Sequence, residues 1–158
     1  MTPFLLNLAL ALLWTFISPQ PSLATFVVGF ALGFGCVAIG ERLFPGRHYS
    51  RRLLAQMAFA VCFVRAFVAA NLELARAVLF RSRDRIDPNF IEYDVTGLTP
   101  LEILVLSHCI TLTPGTTTVS VSADRRTLLL HAFDAGDPEA VRRSIDVGLR
   151  NPLLRCTR

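Results

Sequence analysis

The chain has 158 residues, 53% of them hydrophobic and only 18% charged, with a formal net charge of +4. Soluble domains usually carry about 25% charged residues, so this composition points to lipid contact and argues against an ordinary water-soluble domain. The excess charge belongs to residues 1–80, which hold six arginines against two acids (Glu41, Glu73), while residues 81–158 hold ten of each. These arginines sit at the ends of apolar segments rather than in an aromatic-laced groove, a pattern of membrane-surface anchoring and not of nucleic-acid binding. Cys36, Cys62, Cys109 and Cys156 form no C-x-x-C pair and have no histidine at ligand spacing. They read as buried free thiols, and no metal or cofactor is expected.

The first apolar segment, Phe4–Ile17, would span about 21 Å as a helix, short of a hydrocarbon core of about 30 Å. The second, Leu23–Gly40, reaches about 27 Å and carries no charge. The link Ser18-Pro-Gln-Pro-Ser22 between them predicts a tight helical hairpin. A cleaved signal peptide is not expected, because a basic leader is lacking and another apolar segment begins at Leu23. In the second segment Gly29, Gly33, Cys36 and Gly40 stack small side chains along one face, where another helix can approach closely. The spacing leaves open whether the first segment or another subunit fills that face.

The third segment, Leu53–Phe80, is about 42 Å long if wholly helical, enough for a third transmembrane helix. Arg65, Glu73 and Arg76 share one of its faces, with Glu73 in reach of Arg76 at the i,i+3 spacing. Intramembrane charge must be paired, face protein or lie near the interface; emergence from lipid, a subunit contact and an ion path are the readings, in that order. Arginines 42, 47, 51 and 52 precede this segment, and 81, 83 and 85 follow it. If all three segments cross, one cluster lies on the wrong side for the positive-inside bias.

From residue 81 onward the pattern is that of a small α/β domain. Ile91, Tyr93 and Val95 alternate with Glu92 and Asp94 as in a half-buried strand. Thr99-Pro-Leu-Glu102 is a capping box that opens a helix to about Thr111. Pro114-Gly115 breaks the chain, Thr117–Val121 and Thr127–Phe133 form a β-hairpin around Ala123–Arg126, and Asp137 caps a last helix ending near Asn151-Pro152. The order strand, helix, strand, strand, helix is that of a ferredoxin-like βαββα domain without its last strand. A core of this size is marginal alone, so an open sheet edge or a docking surface toward partners is expected. The expected organisation is a transmembrane region over residues 1–80, with helices at about 4–17, 23–40 and 53–80, and an α/β domain over 81–158.

The stretch Ile110–Asp134 contains Thr111-Leu-Thr-Pro-Gly-Thr116, an alternating strand, an Asp124-Arg125-Arg126 turn, and a hydrophobic run into His131-Ala-Phe-Asp134. It is similar to the signature of the MrpE/MnhE family, the E-type subunits of the Mrp/Mnh multisubunit sodium/proton antiporters. The apolar hairpin, the longer third helix with Asn71-Leu-Glu-Leu-Ala-Arg76, and the α/β domain follow in that family's order, so the resemblance covers nearly the whole chain. Leu153–Arg158 matches nothing in it.

The resemblance implies a multi-pass subunit of the bacterial cell membrane, with its α/β domain over 81–158 in the cytoplasm, that works in a hetero-oligomer exporting sodium in exchange for protons. Its partners are then the other antiporter subunits and lipid, with no nucleic acid, no cofactor and no catalytic residue of its own. The alternative is a membrane-anchored α/β module of a related complex such as a membrane-bound hydrogenase. The signature residues Thr113, Pro114, Gly115, Asp124, Arg125 and His131 have plain structural readings. Pro114 ends a helix, Gly115 takes a positive φ, and threonine hydroxyls satisfy loose carbonyls. A phosphate loop would need a lysine and a following helix, both absent. His108 and His131 read as a helix residue and a strand residue rather than a catalytic pair.

Overall fold

The computed structural model describes residues 3–43, 49–81 and 86–158, leaving Arg47, Arg83 and Arg85 and the side chain of Arg42 outside the described residues. The chain divides into two units, residues 1–55 and 56–158.

The first unit holds α1 (Pro3–Ile17), α2 (Leu23–Leu43) and the start of α3 (Tyr49–Phe80). At the entry to α2, Ser22 Oγ accepts from Thr25 N at 3.2 Å and Thr25 Oγ1 accepts from Ser22 N at 2.8 Å. That reciprocal pair satisfies backbone donors that a helix start leaves free. At the other end Glu41 Oε1 accepts from Tyr49 N (2.6 Å), and Glu41 Oε2 accepts from Ser50 N (3.0 Å) and Ser50 Oγ (2.5 Å). A carboxylate on the first N–H groups of a helix offsets the positive end of its dipole. This cap explains why α3 begins at Tyr49, four residues ahead of the predicted Leu53. By length and composition, Leu23–Glu41 and Tyr49–Phe80 are apolar enough to cross a membrane, while α1, with 15 residues, is shorter.

The second unit holds the rest of α3, then β1 (Asn89–Asp94), α4 (Pro100–Leu112), β2 (Thr116–Val121), β3 (Thr127–Ala132), α5 (Pro138–Ile145), a π-helical turn (Asp146–Arg150) and α6 (Asn151–Thr157). The sheet order is β1-β3-β2, with both neighbouring pairs antiparallel. This is the expected βαββα arrangement, in which the crossover through α4 leaves room for β3 between β1 and β2. Tyr93, Val95, Leu106, Ile110, Leu128, Leu130, Ile145, Leu149 and Leu153 form one buried core.

One expectation for this unit needs correction. The last helix does not end at Asn151-Pro152. Pro152 has no N–H to continue the ladder, and the chain widens into the π turn, where Asn151 N donates to Asp146 O five residues back. Helix then resumes and brings Leu153 into the core. The sheet edges are partly covered. On β1 the Glu92 carbonyl accepts from Arg142 Nε (2.9 Å) and the Asp94 carbonyl from Arg150 Nη1 (3.2 Å), while on β2 Thr118 N donates to Thr111 Oγ1 (3.2 Å). Covering an edge with arginine and helix is a known way of discouraging strand addition.

Candidate functional site

The small-residue face of α2 is occupied by α1. A Cβ built on Gly29 would lie 2.9 Å from Trp14 Cβ and 3.0 Å from Ala11 O, and one on Gly33 would lie 2.4 Å from Asn7 Oδ1. Only glycine permits this approach, which buries Ala11 and Asn7 completely. Asn7 Nδ2 donates to the Tyr49 hydroxyl at 3.2 Å, and the Tyr49 ring packs near Phe4 and Phe34. Gly40 is different, with nothing within 4 Å of a Cβ placed there. The expectation of buried thiols holds only for Cys109: Cys36 is exposed, and Cys62 and Cys156 are half-buried. The antiparallel pairing that sets Ala11 against Gly29 and Asn7 against Gly33 has run past the first turn of α1 before it reaches Gly40.

The charged face of α3 is divided. Arg65, Glu73 and Arg76 are all exposed. Among the described residues no ion pair joins Glu73 to Arg76, although the spacing permits one. Exposed pairs of this kind contribute little. Glu73 instead lines a cavity of about 400 Å³ with Ala70, Arg81, the Thr113-Pro114-Gly115 turn and Asp134. Arg81 and Asp134 form a salt bridge at its rim.

The signature residues fall at three places. At the first, Thr113 Oγ1 donates to Ile110 O (2.8 Å) and Cys109 O (3.1 Å), and Thr116 Oγ1 donates to Ile110 O (3.2 Å). The bonds to Ile110 O satisfy a carbonyl that Pro114, having no N–H, leaves free at the end of α4, while Cys109 O also accepts from Thr113 N at 3.1 Å. Gly115 takes φ +95°, and its carbonyl accepts from Phe133 N at 2.8 Å. At the β2–β3 hairpin, Asp124 Oδ1 accepts from Ser122 Oγ (2.6 Å) and Arg126 N (3.2 Å), bonds that hold its carboxyl below the usual range. Arg125 sits in the left-handed region at φ +58°. His131, the next-to-last residue of β3, faces the Phe90 ring edge-on across the strands at 5.2 Å. His108 Nδ1 pairs with Leu104 O at 2.8 Å, one turn back along its own helix.

The contact of Tyr93 with Asp146 and the second set of partners of Glu102 had no sequence signal beyond residue type. The Tyr93 hydroxyl donates to Asp146 Oδ1 at 2.5 Å, with Arg150 over the ring, and burial above all pushes the Tyr93 hydroxyl pKa up. Glu102, only 3% exposed, closes the capping box on Thr99 N (2.7 Å) and also accepts from Thr157 Oγ1 (2.5 Å) and Arg158. The hydrogen bond from Thr157, then that from Thr99, draws its pKa down to about 2.

A family model described as a Na+/H+ ion antiporter subunit matches residues 7–156. The chain is 34% identical over 135 residues to the E1 subunit of the Na(+)/H(+) antiporter of Staphylococcus haemolyticus, covering 85% of this chain and 84% of that one. It is also 34% identical over 135 residues to the E subunit of the Na(+)/H(+) antiporter of Bacillus subtilis, covering 85% of each. Its fold matches a chain of the Mrp complex from Dietzia sp. DQ12-45-1b with a TM-score of 0.50 at 26% identity, over 63% of this chain and 93% of that chain. A chain of an archaeal membrane-bound sulfane sulfur reductase matches with a TM-score of 0.50 at 24% identity, over 85% and 84%, and so shows a shared fold. With the match running through both the hairpin and the α/β unit, the chain belongs to the MnhE family of Na+/H+ antiporter subunits.

Proposed function

We propose that this chain is an assembly subunit of a multisubunit sodium/proton antiporter in the bacterial cell membrane, with its α/β unit in the cytoplasm. It contributes surfaces that hold partner subunits together and carries no ion path of its own. The observation that supports this reading most directly is the state of Glu41. It is the sole carboxylate of residues 1–55, and it is engaged by Tyr49 and Ser50 as the cap of α3. Proton relays through about 30 Å of hydrocarbon are built from intramembrane ionisable groups, which this hairpin lacks. Glu73, the other acid of the first 80 residues, lines the cavity beside the signature turn. The relatives named as antiporter subunits supply the transport reaction to which this chain contributes.

Reconstituting the chain alone and then within the complex tests this directly. Alone it should give no sodium/proton exchange, and a tagged chain should co-purify with the other antiporter subunits. Within the complex, Glu73→Gln should lower exchange only modestly. A Glu73→Gln complex that assembles normally yet has lost exchange would overturn the reading, because α3 would then have to line an ion path.

A further inference from the structure

The apolar residues of α3 run all the way round the helix, and the second unit shows what half of them are for. Phe59, Phe63 and Ala66 pack against the α/β core, and a Cβ built on Gly148 would meet the Cβ of Ala66 at 3.5 Å. At 100° per residue these three, with Ala70 and Ala77, fall within an arc of about 60°. The opposite arc carries Met57, Val61, Val64, Val68, Leu72 and Leu79, spaced three, four or seven residues apart and 49–72% exposed. A helix with apolar residues on both arcs passes a hydropathy test for crossing whether or not it crosses.

The packed arc limits what α3 can span. Ten residues of α3, Tyr49 to Ala58, precede Phe59, and they amount to about 15 Å of helix against about 30 Å of hydrocarbon. With Phe59 seated on the α/β core, a crossing by α3 would draw into lipid a unit that carries ten arginines and ten acids from residue 81 onward.

Charge supplies an independent argument. If α3 does not cross, arginines 42, 47, 51 and 52 fall on the same side as arginines 81, 83 and 85, and the uncharged link Ser18–Ser22 falls on the other. That distribution satisfies the positive-inside bias, whereas a crossing α3 strands one cluster outside. Arg65 and Arg76 project about 20° and 40° beyond Leu72, along one border of the exposed stripe. From there an arginine stem can lie on apolar surface while its guanidinium meets a headgroup phosphate.

We infer that α3 lies along the cytoplasmic membrane surface, with the Met57–Leu79 stripe in the acyl boundary of an anionic leaflet and the α/β unit on its other face. Only α1 and α2 then cross. The inference rests on the reading of the chain as a membrane subunit with a cytoplasmic α/β unit, and it replaces the expected third crossing.

Single cysteines at Gln20, Arg51 and Val68, introduced after the four native cysteines have been replaced and studied in the assembled complex, test it. A membrane-impermeant maleimide should label Gln20→Cys only in spheroplasts and Arg51→Cys only in inverted vesicles. Labelling of Arg51→Cys from outside alone would mean that α3 crosses and would overturn the inference. A nitroxide on Val68→Cys should be relaxed by lipid-soluble oxygen and shielded from a water-soluble nickel chelate. Shielding from both, with cross-linking to another subunit, would replace lipid by a protein occupant and overturn the inference in that part. If the cysteine-free chain does not assemble, trypsin on the unmodified complex answers the same question: cleavage at arginines 47–52 in inverted vesicles supports the inference, and its absence there overturns it. Co-purification with the antiporter subunits reads the subunit assignment separately and is unaffected by any of these outcomes.

Discussion

Where α1 meets α2, contact depends on side chains that are missing. Gly29 and Gly33 let Ala11 and Asn7 come against the backbone of α2, and most of the large apolar residues of both helices point outward, Phe16 at 80% and Leu23 at 78% exposure. In the α/β unit the arrangement is reversed, since Leu106, Ile110, Leu128 and Leu130 are fully buried and the outer surface carries the charges. The two regions solve one packing problem in two solvents. In lipid, burying leucine gains nothing over leaving it exposed, so close backbone approach has to hold helices together. In water, removing large apolar side chains from solvent is the main driving force.

If that comparison is right, truncation should damage one region and enlargement the other. Leu130→Ala should have the largest effect, destabilising the α/β unit by about 2–5 kcal/mol. Protease cleavage within residues 89–153 of the assembled complex should accelerate, while the hairpin stays intact. Gly33→Leu should cost about 1–3 kcal/mol in the hairpin by overpacking and should be read as a lower yield of assembled complex on native gels. Gly40→Leu, with open space around it, should leave that yield unchanged; an equal loss from both variants would show that a partner subunit, and not α1, sets the spacing.

The smallest effect concerns pH. The folded-state pKa of Glu102 lies near 2, below its ordinary value of 4.5. Its ionised form therefore stabilises the α/β unit fully above pH 4.5, and that contribution is lost as pH falls toward 2. Glu102→Gln should cost about 0.5–2 kcal/mol at neutral pH through the weakened cap and should flatten the acid limb of proteolytic stability. The hairpin, which carries only Glu41, should show no corresponding change with Glu102→Gln.

The elements were largely legible because their signals are local. Thr99-Pro-Leu-Glu102 announced α4 to within a residue, and the alternation of Ile91, Tyr93 and Val95 announced β1. The double use of Glu102 was not legible, since its second set of partners, Thr157 and Arg158, lies more than fifty residues away. The end of the last helix was misread because Asn-Pro is normally a stop, and nothing local signals that a π turn can carry the chain through it. For α3 the difficulty was one of kind, because composition counts apolar residues without recording what each face meets. Only the docking of Phe59, Phe63 and Ala66 on the core separates the face that meets protein from the face left exposed.

The sheet order has a consequence for how the chain is made. β3 is the central strand, so β1 pairs only with residues 33 to 43 positions further along the chain. At synthesis rates of about 5–20 residues per second, β1 waits roughly 2–8 s and the apolar α4 roughly 1–4 s in the nascent chain before the strand that covers them is complete. Over that interval α1 and α2 have already been made, so the earlier part of the chain can be inserted while the later part is still unfolded. Slowing translation ahead of Thr127 would lengthen the exposure of α4, and a chaperone bound near the membrane would have its main opportunity there.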